Sequence, residues 1–101
     1  MKDSVTTTDS SLTISLSEKL TFEDHTNFRE LLKLINNDIH RNCSIDLRGL
    51  EAIDSAGLGM LMIAFETAEK FGMSFNLYKP VGQVKRLLEI SDFEKVMSIV
   101  S

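Results

Sequence analysis

The sequence predicts an α/β domain: a small, mostly parallel mixed sheet with helices packed against it. Three observations predict it. Strand-like and helix-like hydrophobic periods alternate along the chain, in the order strand, helix, strand, helix, strand, helix, helix. No internal repeat, low-complexity tract or linker interrupts that alternation. The chain's 101 residues suit one domain with one core.

The elements follow in order. Residues 1–10 are polar and rich in Ser and Thr, and read as a flexible N-terminal segment ahead of one domain over 11–101. Leu12, Ile14 and Leu16 then alternate with Thr13, Ser15 and Ser17, the period of a half-buried strand. Leu20 and Phe22 carry the apolar spacing into a turn. Thr21 with Asp24 three residues on is an acidic form of the capping pattern that starts a helix. Phe28, Leu31, Leu32, Ile35 and Ile39 form its apolar face, weakened at the far end by Asn36-Asn37-Asp38. Residues 43–47 read as a short strand, followed by Arg48-Gly49-Leu50 and Ile53. Asp54-Ser55 opens a second helix running to about Phe71, with Gly72 as a left-handed stop. Met73, Phe75, Leu77 and Tyr78 make another strand, ended by Pro80. A third helix spans 81–90, with Val84, Leu87 and Leu88 inward. Ser91-Asp92-Phe93-Glu94 reads as a capping box for a last short helix carrying Phe93, Val96 and Met97.

Composition narrows the function classes. Hydrophobic residues make up 43% and charged residues 26%, the balance of a folded globular chain. The net charge is -4, and no basic stretch exceeds Lys85-Arg86, which argues against nucleic acid and an anionic membrane surface. No apolar run approaches the ~20 residues needed to span a bilayer. The polar start is no secretory signal, so a cytoplasmic location is expected. The single cysteine, Cys43, heads a strand and reads as a buried, inert thiol. His25 and His40, the only histidines, read as solvated, and no metal-ligand spacing is present. Neither histidine has an evident pairing with Ser55, and Gly-x-Ser-x-Gly is absent, so no catalytic role is expected. No cofactor is implied.

The informative segment is Asp54-Ser55-Ala56-Gly57-Leu58-Gly59. Serine at a helix start is ordinary, because it serves as an N-cap. Two glycines in the first turn are not ordinary, since each costs about 1 kcal/mol against Ala in a helix interior. Glycine there admits another backbone or a partner at close range. A phosphate on Ser55 would meet the positive end of the helix dipole and its free N–H groups, with Asp54 repelling it. On a helical wheel Met60, Leu61, Ala64, Phe65, Ala68 and Phe71 share the core side. Met62 and Ile63 lie with Gly59 among polar residues, either as a contact patch or covered by a neighbouring helix.

In these residues the chain resembles the STAS family, the domain of bacterial anti-sigma factor antagonists and sulfate transporters. The motif is similar to the family's Asp-Ser-[Ser/Thr/Ala]-Gly-Leu-Gly. The resemblance takes in Ile45-Asp46-Leu47 and the tail from Gln83 to Phe93, and covers residues 10–100. It implies that Ser55 is the phosphoacceptor of a serine kinase, often the anti-sigma factor itself, and that a PP2C-type phosphatase reverses the modification. The unmodified form would bind its partner and the phosphorylated form release it. The family's Gly-Glu-[Ile/Leu]-Asp before the first helix is here Glu18-Lys19-Leu20-Thr21, with Thr21 still able to cap. Thr21, Asp54, Ser55, Ala56, Gly57, Gly59, Met62 and Ile63 are thus the expected partner-binding set. An adaptor subunit of a bacterial lipid-trafficking transporter is the alternative within the same family. Ser55 as a structural N-cap alone is the other.

Overall fold

The computed structural model describes residues 1–36, 38 and 40–101. Its sheet has five strands in the order of the chain, β1 (Lys2–Thr7), β2 (Ser11–Leu20), β3 (Asn42–Ile53), β4 (Ser74–Tyr78) and β5 (Ser98–Val100). β1 is antiparallel to β2, and every later pair is parallel. The crossovers carry α1 (His25–Leu32), α2 (Ser55–Lys70) and α3 (Gly82–Ile90). Right-handed crossovers that step one strand at a time in one direction place all their helices on one face. The burial pattern agrees. Ile14, Ile45 and Leu77 stand in one row across the sheet, and all three are fully buried. Phe28, Leu61, Ala64, Ala68, Val84 and Leu88 close over them from the helices. The opposite face carries short polar side chains such as Thr13, Ser15, Ser44 and Asn76, with a Ser44 hydroxyl to Asn76 Oδ1 bond of 2.8 Å.

The mixed, mostly parallel sheet matches the fold the sequence predicts, and several elements differ in detail. The first ten residues, expected as a flexible segment, contain β1, paired with β2 from Lys2↔Ser17 to Thr7↔Leu12. All six of its side chains are exposed, so it carries no two-fold hydrophobic pattern and is held through its backbone. β3 runs on past Leu47 through Arg48-Gly49. Two register shifts against β2 absorb the extra residues, and Glu18 takes φ 68° there. α1 ends at Leu32, earlier than its apolar stripe. Ile35 is still buried beyond it, while Asn37 and Ile39 lie outside the described residues. The expected last helix is a single 3₁₀ turn, Phe93–Lys95, with no side-chain cap, followed by β5. Of the apolar residues expected on that helix, Val96 is half exposed, whereas Phe93 and Met97 are buried. His40, expected solvated, is buried just ahead of β3. Cys43 is buried as expected, and burial pushes its thiol up to about 12.

On the open sheet face Arg48 grips Asp46, with Nη2 2.8 Å and Nε 3.2 Å from the carboxylate, and lies 5.2 Å over the Tyr78 ring. The Arg48 side chain, outweighing burial, holds the Asp46 carboxyl below the usual carboxylate range. A carboxylate depressed in the folded state stabilises above its unfolded pKa, about 3.9, and loses that contribution as pH falls through its folded value. Arg48→Gln is therefore expected to lower the melting temperature at pH 7, with the difference from the wild type shrinking as pH falls below the unfolded carboxylate's pKa of about 3.9. Melting curves across pH check this. Arg48 is largely exposed, so the difference should be small.

Candidate functional site

β2, β3 and β4 are parallel, so their carboxyl ends meet at one edge of the sheet. There Thr21 leads into a 3₁₀ turn (Phe22–Asp24), Asp54 leads into α2, and Lys79 to Val81 lead into α3. Loops gathered at this end of parallel strands are where such sheets place their sites.

Asp54, and not Ser55, is the N-cap of α2. Its Oδ1 accepts from the Gly57 N–H at 2.8 Å. Its Oδ2 accepts from the Phe22 N–H at 3.2 Å, so one carboxylate ties together the starts of two helical segments. Thr21 caps the first of these, and its own N–H donates to Asp24 Oδ2 at 2.9 Å. The Asp54 N–H reaches the Leu20 carbonyl at 3.3 Å. From the other side Gln83 accepts from the Ile53 N–H at 3.0 Å and donates to its carbonyl at 3.1 Å, locking the start of α3 to the end of β3.

Ser55 is the first residue of α2, and its side chain is exposed. Since Asp54 makes the cap, the hydroxyl is released from the structural duty that serine usually has at a helix start. Ser55→Ala should therefore change unfolding free energy by no more than about 0.5 kcal/mol. Asp54→Ala should cost about 0.5–2 kcal/mol, because it strips a cap. Urea unfolding of the two variants separates them.

The two glycines differ. Gly57 is buried, and a Cβ there would stand 2.4 Å from the Leu20 carbonyl oxygen and 2.6 Å from Ile53 Cγ1. It lets α2 pass tightly over the ends of β2 and β3. Gly59 is exposed, with nothing within 4 Å of the same atom. Its bareness serves nothing inside the chain and leaves the surface beside Ser55 flat.

Of the remaining expected contact residues, Ala56, Thr21 and Met62 are half-buried, and Met62 packs against the core. Ile63 is 49% exposed, uncovered by any neighbouring helix. Ser55, Gly59 and Ile63 recur every four residues and so share one outward stripe. The sequence reading missed Phe22. It is 65% exposed, bound by its N–H to Asp54, and stacked on the His25 ring at 4.8 Å. Its local signal misled, since Phe22 continues the even-numbered apolar spacing of Leu12, Ile14, Leu16 and Leu20 and so reads as an extension of the strand pattern. Gln83 had no local signal, because its partner is 30 residues away.

His25 Nδ1 is 2.9 Å from the Phe22 carbonyl oxygen. His40 precedes β3 while Ser55 follows it, so the 12-residue strand separates them. Among the described residues no cluster of His, Cys, Asp or Glu is arranged to hold a metal ion, and no helix is long and apolar enough to cross a membrane.

Comparison with known proteins gives a consistent result. A family model described as "Mlab, STAS domain" matches residues 4–101. A STAS-domain containing protein of Pseudomonas aeruginosa (strain UCBPP-PA14) is 30% identical over 88 residues, covering 87% of this chain and 86% of its own. Among solved structures, an anti-sigma factor antagonist from Mycobacterium paratuberculosis superposes with a TM-score of 0.85 at 18% identity, over 98% of this chain and 84% of its own. The anti-sigma factor antagonist SpoIIAA in its unphosphorylated form gives 0.76 at 15% identity, over 99% and 88%. The Bacillus SpoIIAA in its phosphorylated form gives 0.74 at 16% identity, over 99% and 92%.

Proposed function

We propose, from the premise that this chain belongs to the STAS domain family, that it is a non-catalytic protein-interaction switch of the anti-sigma factor antagonist type, set by phosphorylation of Ser55. The observation that carries this is the exposed Ser55 hydroxyl at the first position of α2, with the cap made by its neighbour Asp54. A kinase can reach that hydroxyl, and a phosphate on it would face the free N–H groups and positive pole of a 16-residue helix. The unmodified protein docks its partner, a serine kinase acting as anti-sigma factor or a related regulator, through Ser55, Gly59, Met62, Ile63 and Phe22. Phosphorylation ends the contact, and a PP2C-type phosphatase restores it. Its place of work is the cytoplasm. That SpoIIAA has been solved both with and without its phosphate, each time on this fold, supports the view that the fold tolerates the modification.

The test is direct. The protein is incubated with candidate serine kinases and ATP, and the mass shift is mapped. One phosphate on Ser55 is expected, and modification elsewhere with Ser55 bare overturns the reading.

The family model's description, "Mlab, STAS domain", supports a second reading that does not rest on an antagonist. In it the same surface is a constitutive dock for the ATPase of a lipid-trafficking transporter. Ser55→Ala used as bait then recovers that ATPase, and phosphorylated and unmodified proteins recover it equally.

A further inference from the structure

Asp54 stands between the proposed phosphoacceptor and the exposed aromatic that the sequence reading missed. Its Oδ1 holds the Gly57 N–H at 2.8 Å, and its Oδ2 holds the Phe22 N–H at 3.2 Å. The first-turn N–H groups of a helix are a small, shared set of donors. A phosphate on the adjacent Ser55 would bring nearly two negative charges and three strong acceptors to that set, where Asp54 brings one charge. Two anions at one positive pole repel, and the exposed carboxylate is the one free to turn into water. Its backbone would stay in place, because the Asp54 N–H bonds the Leu20 carbonyl at 3.3 Å and its carbonyl accepts from Leu58 at 3.0 Å. What is lost is the bond to Phe22. That side chain is 65% exposed, so the backbone anchor and the His25 stack hold it, and burial does not.

We propose that Asp54 is a positioning residue that couples Ser55 to Phe22: phosphate on Ser55 displaces the Asp54 carboxylate from the Phe22 N–H and loosens the aromatic edge of the docking face. The inference rests on the switch reading for its trigger. It adds a second consequence of the phosphate, a change of shape at a residue on another segment.

The experiment uses no kinase and no partner. Phosphoserine is installed at position 55 during translation, and amide hydrogen exchange is followed by NMR. The Phe22 amide is expected to exchange about tenfold faster, the loss of one bond to a charged acceptor, while the core amides of Ile45 and Leu61 keep their rates. Asp54→Ala, without phosphate, should produce the same acceleration, and phosphate added to that variant should change Phe22 by less than twofold. An unchanged Phe22 rate in the phosphoprotein overturns the coupling. So does a full phosphate effect surviving in Asp54→Ala, or an acceleration that Ile45 and Leu61 share. None of these outcomes bears on whether a kinase modifies Ser55, which the mass mapping decides separately.

Discussion

Gly57→Ala is expected to destabilise the domain by about 3 kcal/mol, the upper part of the range for overpacking a closed site. For a chain of this size that lowers the melting temperature by about 12–24 °C. Two effects oppose each other at this position. Alanine in a helix is favoured over glycine by about 1 kcal/mol, which taken alone predicts a gain. Against it, the new methyl would stand 2.4 Å from the Leu20 carbonyl oxygen and 2.6 Å from Ile53 Cγ1. The first of these is backbone inside a parallel strand pair and has no rotamer to escape into, so α2 must lift off the sheet. The clash decides the sign. Gly59→Ala is the internal control. With nothing within 4 Å of its Cβ position, it collects only the helix-propensity gain, about 0.5–1 kcal/mol of added stability. Thermal and urea unfolding of the two variants must therefore move in opposite directions. Movement in the same direction would contradict the close passage of α2 over β2.

The same segment shows what a sequence can carry. The two first-turn glycines signalled that some backbone or partner comes close, and that holds at Gly57, where the near backbone is Leu20. It did not say which glycine serves the interior and which the surface, because that depends on where β2 ends. The core positions were legible wherever one period met one buried face. Leu12, Ile14 and Leu16 on β2 are all buried, as are Met60, Leu61, Ala64 and Ala68 on α2. Legibility failed where an element is held mainly by its backbone. β1 has six exposed side chains and no pattern to read, and β5 is three residues long. It failed again at the cap. Asp54 and Ser55 are both good N-caps, and local rules do not choose between neighbours. The choice is made by the Phe22 N–H, 32 residues away, which gives the Asp54 carboxylate a second partner. That non-local bond frees Ser55, so the feature on which the proposed function turns was the one the local sequence left open.

Phosphorylation of Ser55 is expected to lower affinity for the docking partner by about a hundredfold, which corresponds to about 3 kcal/mol. Beside the Asp54 carboxylate, the surface around the hydroxyl carries small and apolar groups. Gly59 contributes no side chain, Ile63 is 49% exposed, and Phe22 is 65% exposed. A partner closing over such a face must strip water from whatever stands at Ser55. For a hydroxyl this is cheap, while for an ion buried without a matching charge it costs several kcal/mol. Ser55→Asp adds one charge on a short stem, so its loss should be nearer tenfold, and Ser55→Ala, with no charge added and no cap removed, should stay within about twofold of the wild type. Ile63→Lys tests the face away from the serine. Because Ile63 already meets solvent, the change should leave stability within about 0.5 kcal/mol while weakening binding, whereas a lysine at Met62 would also disturb the core it packs on. Calorimetric titration of these proteins against the partner recovered by a Ser55→Ala bait gives the ranking. Equal affinities for the alanine, aspartate and phosphoserine forms would mean that charge at this helix start does not govern docking.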